Sequence, residues 1–162
     1  MIELHIGGLG FDPKNMSPIV LLRDENECNF LPIWIGMFEA AAIAMELQNF
    51  KTPRPMTHDL LATTIDVLGG KVTQVVITEI IDNTFYSEII LSKADKTIIL
   101  DTRPSDAIAI AVRLNVPIFV SEAVMSTAKM VNVEKDEKEA QKFREFIDNI
   151  NPDDFKKHLG AG

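Results

Sequence analysis

The stretch TIILDTRPSDAIAIAVRLNVPIFV, residues Thr97–Val120, combines a strand, a polar turn, a helix and a second strand. The apolar run Ile98–Leu100 is suited to a central strand of a sheet. Pro104 is suited to the first turn of a helix, where its missing N–H removes no hydrogen bond. The next residues, Ala107–Val112, are apolar on every side, so the helix is predicted to be buried.

The turn between that strand and that helix concentrates polar side chains. Either Thr102 or Ser105 is suited to cap the helix, and a helix N-terminus attracts anions such as phosphate. Arg103 can clamp phosphate with two hydrogen bonds, and Asp101 and Asp106 offer the oxygen ligands that a divalent cation prefers. A structural alternative is that Asp106 stabilises the helix dipole while Arg103 pairs with Asp101.

Composition favours one globular domain. The chain has 162 residues with 46% hydrophobic and 25% charged residues, enough for a sizeable core. Its net charge of −8 argues against a protein that coats nucleic acid. Its single cysteine, Cys28, excludes an intrachain disulfide. The absence of a signal-peptide pattern and of an apolar run near 18 residues predicts a cytoplasmic protein.

The remaining pattern predicts an α+β fold, in which a mixed β-sheet carries packed helices. The glycines after Ile6 are expected to end the first strand, and Asp82-Asn83 and Ala94-Asp95 are expected to form turns. Residues 128–134 are read as a connector. The predicted strands are Ile2–Ile6, Ser17–Arg23, Phe30–Ile35, Val72–Ile81, Phe85–Leu91, Thr97–Leu100 and Pro117–Val120.

Helices are predicted at Phe38–Phe50, from Thr57 as N-cap to Leu68, and at Glu122–Thr127. The second of these should bury the face formed by Leu60, Leu61, Thr64, Ile65 and Leu68. Two more helices, Asp136–Ile150 and one starting at Pro152, complete the chain. The expected organisation is therefore a domain over 1–127 and a helical extension over 128–162 that packs on the domain or on a partner subunit.

The two halves of the chain echo each other. Glu39–Leu47 aligns without gaps on Asp106–Leu114, and strands precede both segments. A duplicated βββα unit would place Glu39 and Asp106 at equivalent helix N-termini. The alternative is that buried helices rich in Ala and Ile resemble one another by chance.

A second polar cluster lies at Arg54-Pro55-Met56-Thr57-His58-Asp59. His58 can act as a general base, a general acid or a metal ligand, held by a neighbouring carboxylate. Glu39 is a third candidate, because a carboxylate in an apolar stretch needs a partner or a function. The structural alternatives are that Glu39 and Asp59 stabilise helix dipoles and that His58 is a first-turn helix residue.

The blocks LPIWIGMFEAAAIAMEL, PRPMTHDLL, VTQVVITEI and DTRPSDAIAIAVRLNVPIFV resemble the bifunctional nuclease domain family over roughly Ile2–Val124. The resemblance implies a nuclease that hydrolyses phosphodiester bonds of DNA and RNA with little sequence preference. Nucleic acid would then be the substrate. The carboxylates described above predict a divalent cation, Mg or Mn, as the cofactor.

Residue roles within these blocks come from side-chain chemistry. The predicted catalytic residues are His58, Asp59, Asp101 and Asp106. Arg54, Arg103 and Ser105 are predicted to bind phosphate, and Glu39, Asp101 and Asp106 to bind the metal. The alternative reading is a non-enzymatic homodimeric binding or regulatory module whose Arg-Pro turns are structural or bind a small anion. Its apolar surplus and strand edges predict the homodimer.

Overall fold

The computed structural model describes residues 1–132, together with Gln141 and Glu145, which are helical and exposed. Apart from these two residues, the predicted helix Asp136–Ile150 lies outside the described part of the chain, as does the one predicted from Pro152.

Eight strands and four helices make up residues 1–132. The strands are β1 (Ile2–Asp12), β2 (Ser17–Arg23), β3 (Asn29–Trp34), β4 (Lys71–Ile81), β5 (Thr84–Lys93), β6 (Lys96–Thr102), β7 (Ile118–Val120) and β8 (Val131–Asn132). The helices are α1 (Met37–Leu47), α2 (Thr57–Val67), α3 (Pro104–Leu114) and α4 (Glu122–Thr127).

The strands form one mixed sheet in the order β6-β5-β4-β7-β1-β2-β3-β8. β4 pairs with β7 in parallel, and the other strand pairs are antiparallel. The α+β class with a mixed sheet is thus confirmed. Both predicted turns are present, since Asp82-Asn83 and Ala94-Asp95 all have positive φ, which suits two-residue hairpins.

The described residues fall into two compact units. The first unit, Met1–Leu4 with Ala42–Ala128, packs the buried helix α3 against β4 and β5. Its core includes Ile77, Ile108 and Ile110, all at 0% exposure. The prediction that α3 is buried is therefore confirmed.

The second unit holds residues 5–41 and the described residues from 129 onward. Its core includes the cluster of Ile19, Leu21 and Phe30, against which Val131 packs. Val131 lies in β8, which pairs with the start of β3. The predicted connector over 128–134 therefore contains a short strand.

The prediction that glycines end the first strand is wrong, because β1 continues to Asp12. Its pairing with β2 shifts register between Ile6 and Gly8, so the glycines accommodate an irregularity within the strand. A Cβ on Gly7 would approach the Phe30 side chain to 3.2 Å. The glycine thus permits close packing where the sequence suggested a break.

The prediction that Ile98–Leu100 forms a central strand is also wrong, because β6 lies at the edge of the sheet. Ile98, Ile99 and Leu100 are 37%, 57% and 39% exposed. The chain returns after α3 to pair β7 with β4, so no described strand covers the outer side of β6. An apolar run alone does not separate a buried strand from an edge strand.

Helix α2 begins and ends one residue earlier than predicted, and it lacks the predicted burial. Leu60, Leu61 and Leu68 are 60%, 37% and 64% exposed, and His58 is the buried residue of the helix. The prediction that these apolar residues form a buried face of α2 is therefore wrong. α2 contacts α3 and β4 within the first unit.

The two halves share the element order βββα, β1-β2-β3-α1 and β4-β5-β6-α3. This order does not establish a duplication, which stays a hypothesis. Helix α1 ends at Leu47, before the predicted Phe50, because Asn49 takes a left-handed conformation with φ of 52°.

Candidate functional site

The start of α3 is set by Pro104, which occupies the first helical turn as predicted. Arg103 is the N-cap residue, and no side chain caps the helix. The expectation that Thr102 or Ser105 caps α3 is therefore wrong. The Thr102 hydroxyl instead donates to the Arg103 carbonyl oxygen at 2.9 Å, and Ser105 is buried in the first turn.

The start of α2 also differs from the prediction in its cap. Met56, not Thr57, is the N-cap residue. The backbone N–H of Met56 donates to Asp59 Oδ2 at 2.9 Å. This bond orients the first turn of α2, in which His58 and Asp59 are consecutive and contact different residues of α3.

His58 and Asp106 form the centre of the candidate site. His58 Nε2 lies 2.9 Å from Asp106 Oδ1. The other carboxylate oxygen, Oδ2, accepts from Arg103 Nε at 2.8 Å and lies 2.8 Å from Arg103 Nη2. Asp106 thus bridges a histidine and an arginine, and the structure brings these three predicted site residues together.

The bridging position of Asp106 determines its ionisation. Burial by itself raises the pKa of this carboxyl, but the hydrogen bonds and positive charges of Arg103 and His58 outweigh it, and the pKa is lowered. Asp106 is therefore an anion at neutral pH. An ionised carboxylate that contacts one ring nitrogen fixes the orientation of the imidazole.

The second ring nitrogen of His58, Nδ1, is available for chemistry. It has no hydrogen-bond partner among the described residues. Within that part of the chain, no buried side-chain nitrogen or oxygen lacks a partner, so Nδ1 reaches solvent. His58 is 8% exposed overall. Such a nitrogen can accept a proton from a bound water or hydroxyl.

Asp59 makes a separate ion pair with Arg113, a residue that the sequence reasoning missed. Arg113 Nε donates to Asp59 Oδ1 at 2.7 Å, Nη1 donates to the Ala109 carbonyl oxygen at 3.0 Å, and Nη2 to that of Ala42 at 3.2 Å. The Arg113 side chain is 6% exposed. The pKa of Asp59 is lowered, chiefly by the hydrogen bond from the Met56 N–H and next by the hydrogen bond from Arg113. Arg113 follows Asp106 by seven residues, a spacing that places both on one helix face.

The remaining predicted site residues lie apart from these contacts. Asp101, near the end of β6, is exposed, and its side chain makes no hydrogen bond or ion pair with the described residues. The structural alternative, in which Arg103 pairs with Asp101, is therefore wrong on this point. The Arg54 side chain is likewise exposed without such a partner in that part of the chain. Glu39 belongs to the second unit, where its carboxylate lies against Gly36 in the first turn of α1.

A metal centre does not emerge from these positions. No group of three or more His, Cys, Asp or Glu side chains suited to a metal ion occurs within the described residues. Both carboxylate oxygens of Asp106 and both of Asp59 are engaged by cationic groups or a backbone N–H. A divalent cation at Asp106 or Asp59 would have to share these oxygens with their present partners.

Among the described residues, no helix has the length and apolar character needed to span a membrane.

Comparison with known proteins places these residues in a family context. The model of the bifunctional nuclease domain matches residues 20–133, which include α2, α3 and both ion pairs. An uncharacterized protein of Mycobacterium tuberculosis is 41% identical over 165 residues, covering 96% of this chain and 99% of that protein.

Plant proteins are similar over a smaller share of their length. Bifunctional nuclease 2 of Arabidopsis thaliana is 33% identical over 125 residues, covering 74% of this chain and 38% of that protein. Bifunctional nuclease 1 of Oryza sativa subsp. indica is 34% identical over 109 residues, covering 65% of this chain and 33% of that protein. The chain thus spans little more than a third of these plant relatives.

Proposed function

The chain belongs to the bifunctional nuclease domain family, and from this premise we propose that it hydrolyses phosphodiester bonds of DNA and RNA with little sequence preference, using His58 as the proton-transfer residue. The observation that carries the proposal is His58, whose Nε2 is hydrogen-bonded to Asp106 and whose Nδ1 has no partner among the described residues.

The proposed step needs one proton acceptor. Water attacks the phosphorus while His58 Nδ1 takes the water proton, and the bond from phosphorus to the leaving oxygen breaks. That oxygen then takes a proton from the imidazolium or from solvent. Asp106 keeps the ring oriented and stabilises its positive charge. In RNA, the 2′-hydroxyl is an alternative nucleophile whose proton the same nitrogen can accept.

Phosphate binding is proposed for the cationic residues beside this pair. Arg103 contacts Asp106 at the start of α3, where helix N–H groups favour an anion. Ser105, in the same turn, is proposed to donate to the phosphate through its hydroxyl. Arg54 is exposed and can recruit the strand through its charge.

The requirement for Mg or Mn and the metal roles of Glu39, Asp101 and Asp106 remain sequence-based predictions. The catalytic roles of Asp59 and Asp101 also remain predictions, and the reaction proposed above does not use these residues. The division into residues 1–127 and 128–162 and a cytoplasmic location are predictions as well. No step of the proposed reaction is routed through a metal. Chelation of divalent cations tests this part directly, because a metal-dependent enzyme loses cleavage in EDTA and regains it with Mg or Mn.

The test of the proposed function is cleavage of single-stranded DNA, duplex DNA and RNA by the purified chain, with magnesium, with manganese and with chelator. His58→Asn protein, prepared identically, runs beside it, and His5→Asn serves as the matched control because His5 is an exposed histidine on β1. The proposal expects cleavage by the chain and by His5→Asn, with none above background in His58→Asn.

Two results would overturn the proposed function. Equal cleavage by all three proteins would mean a host nuclease or another site. No cleavage of any substrate by the folded chain would favour the alternative, a non-enzymatic homodimeric binding module.

The edge strand β6 supports that alternative and the proposed homodimer. Its apolar residues Ile98, Ile99 and Leu100 are partly exposed on a strand with one free edge within the described residues. Such an edge pairs readily with a second chain. Light scattering at micromolar concentration should give a two-chain mass, and Ile99→Lys should reduce it to one. A one-chain mass for the unaltered protein would refute the dimer.

A further inference from the structure

A cavity of about 280 Å³ opens beside the Asp59–Arg113 pair, and Arg54, proposed above to recruit the strand, lines it. It is formed by the end of α1, the segment over 50–56 and the start of α2. All its lining residues belong to the first unit. Its size is that of the smaller pockets that hold small organic ligands.

The cavity combines an apolar wall with positive charge. Met45, Phe50 and Met56 contribute apolar side chains, and Phe50 and Met56 are 60% and 45% exposed. Exposed aromatic and methionine side chains in a concave site offer a face for a flat ring. Phe50 therefore presents a stacking surface that the fold of the described residues leaves largely uncovered.

The charges in the cavity favour an anion. Three cationic side chains and two carboxylates line it. Lys51 pairs with Glu46 at 3.2 Å and Arg113 pairs with Asp59 at 2.7 Å, which neutralises both carboxylates. The Arg54 side chain makes no hydrogen bond or ion pair with the described residues. A chain with a net charge of −8 thus carries a local cationic cavity.

The cavity also lies within reach of the His58 pair. Asp59, in its wall, follows His58 directly, and Arg113 and Asp106 are seven residues apart in α3. Seven residues of helix rise about 10 Å. A strand whose phosphate lies at His58 can therefore place a neighbouring nucleotide in the cavity.

We propose that this cavity is a nucleotide subsite, in which the base of an unpaired nucleotide packs on Phe50 and Met56 while Arg54 binds the adjoining phosphate. The proposal rests on the proposed function, because it takes a nucleic acid strand as the ligand. Stacking of bases on aromatic side chains together with a cationic groove is the usual recognition of single strands, and it tolerates any sequence.

The test measures binding of two fluorescent single-stranded oligonucleotides of equal length to full-length His58→Asn protein, which leaves the oligonucleotides uncut. One oligonucleotide carries its bases, and the other is abasic with the same phosphates. Phe50→Ala should weaken binding of the first by about fivefold to a hundredfold, the loss expected for one stacked base. Binding of the abasic strand should not change.

Two matched variants sharpen the measurement. Phe38→Ala removes an 84% exposed phenylalanine from α1 outside the cavity and should bind both oligonucleotides normally. Arg54→Ala should weaken both oligonucleotides to a similar degree, because it removes a phosphate contact. If Phe50→Ala does not fold, Phe50→Leu replaces it, and weaker binding of the base-bearing strand is still expected.

Equal binding by the Phe50→Ala and unaltered Phe50 proteins, or equal losses in Phe38→Ala and Phe50→Ala, would overturn the subsite. So would a free mononucleotide that binds as tightly as the oligonucleotide, since the cavity would then serve a separate small ligand. These results are distinct from failure of the proposed function, because they concern affinity and not cleavage. A chain that cleaves but binds without Phe50 retains the function and loses the subsite.

Discussion

A hydrogen-bonded pair and an ion pair join α2 to α3, and they use consecutive residues of α2 in different ways. In the pair of His58 with Asp106, a titratable ring keeps one nitrogen open to solvent. In the pair of Asp59 with Arg113, the guanidinium is 6% exposed and uses its remaining donors on two backbone carbonyls. The first pair leaves one ring nitrogen free to transfer a proton. The second pair supplies hydrogen bonds to backbone carbonyls and holds α2 and α3 together.

The largest effect should come from removing the imidazole. His58→Asn eliminates the proton acceptor but keeps a polar side chain beside Asp106. General acid–base groups contribute about 10²- to 10⁴-fold, so initial cleavage rates should fall by that factor. Circular dichroism should show a folded protein. A folded variant that retains more than a tenth of the rate would remove His58 from the mechanism.

Arg113→Met should have the largest effect on stability. It leaves Asp59 and the carbonyls of Ala109 and Ala42 without their donor, and urea unfolding should show a loss of about 3 kcal/mol. Arg103→Met is the control, because the Arg103 side chain is 66% exposed and its loss should cost about 1 kcal/mol or less. Equal losses in both variants would contradict the structural role of Arg113.

Acid should weaken both pairs. The pKa values of Asp59 and Asp106 are lowered in the folded protein, so each ionised carboxylate contributes stability above the ordinary aspartate pKa of about 3.9. That stability is lost as the pH falls through the lower folded values. Thermal melts from pH 6 to pH 3 should therefore show a smaller acid loss for Asp59→Asn than for the exposed control Asp66→Asn. Identical slopes would argue against the pairing.

The smallest effect is expected on the outer side of α2. Val67 is 76% exposed, and Val67→Lys should change the free energy of unfolding by about 0.5 kcal/mol or less, as for other surface substitutions. Urea unfolding provides the measurement. A loss above 2 kcal/mol would indicate that a second chain or the C-terminal segment covers this helix.

Local signals predicted much of the fold. Turn residues such as Asp82-Asn83 and the helix-starting Pro104 act within a few residues, so the element order and the α+β class followed from the sequence. The position of β6 at the edge did not, because strand order depends on which strands meet after a long connection. The prediction that the apolar residues of α2 face inward was wrong, because periodicity shows which residues share a helix face but not what covers that face.

The candidate site was predicted in its parts and not in its pairing. His58, Asp106 and Arg103 were identified from residue type, yet their mutual contact joins segments 48 residues apart in the chain. Arg113 was missed because an arginine near the end of an apolar helix also suits the helix dipole. Arg113 follows Asp106 by seven residues, and this spacing indicates that both side chains lie on the same face of α3.

The most direct test compares Asp106→Asn with Asp59→Asn, the same change in each pair, by cleavage rate and by urea unfolding of the same preparations. Asp106→Asn should stay folded and should lower cleavage of RNA and single-stranded DNA by about a hundredfold or more. Asp59→Asn should lose stability and keep its cleavage rate within about tenfold. Equal loss of cleavage in two folded variants, or full cleavage by Asp106→Asn, would contradict the division between a chemical pair and a structural pair.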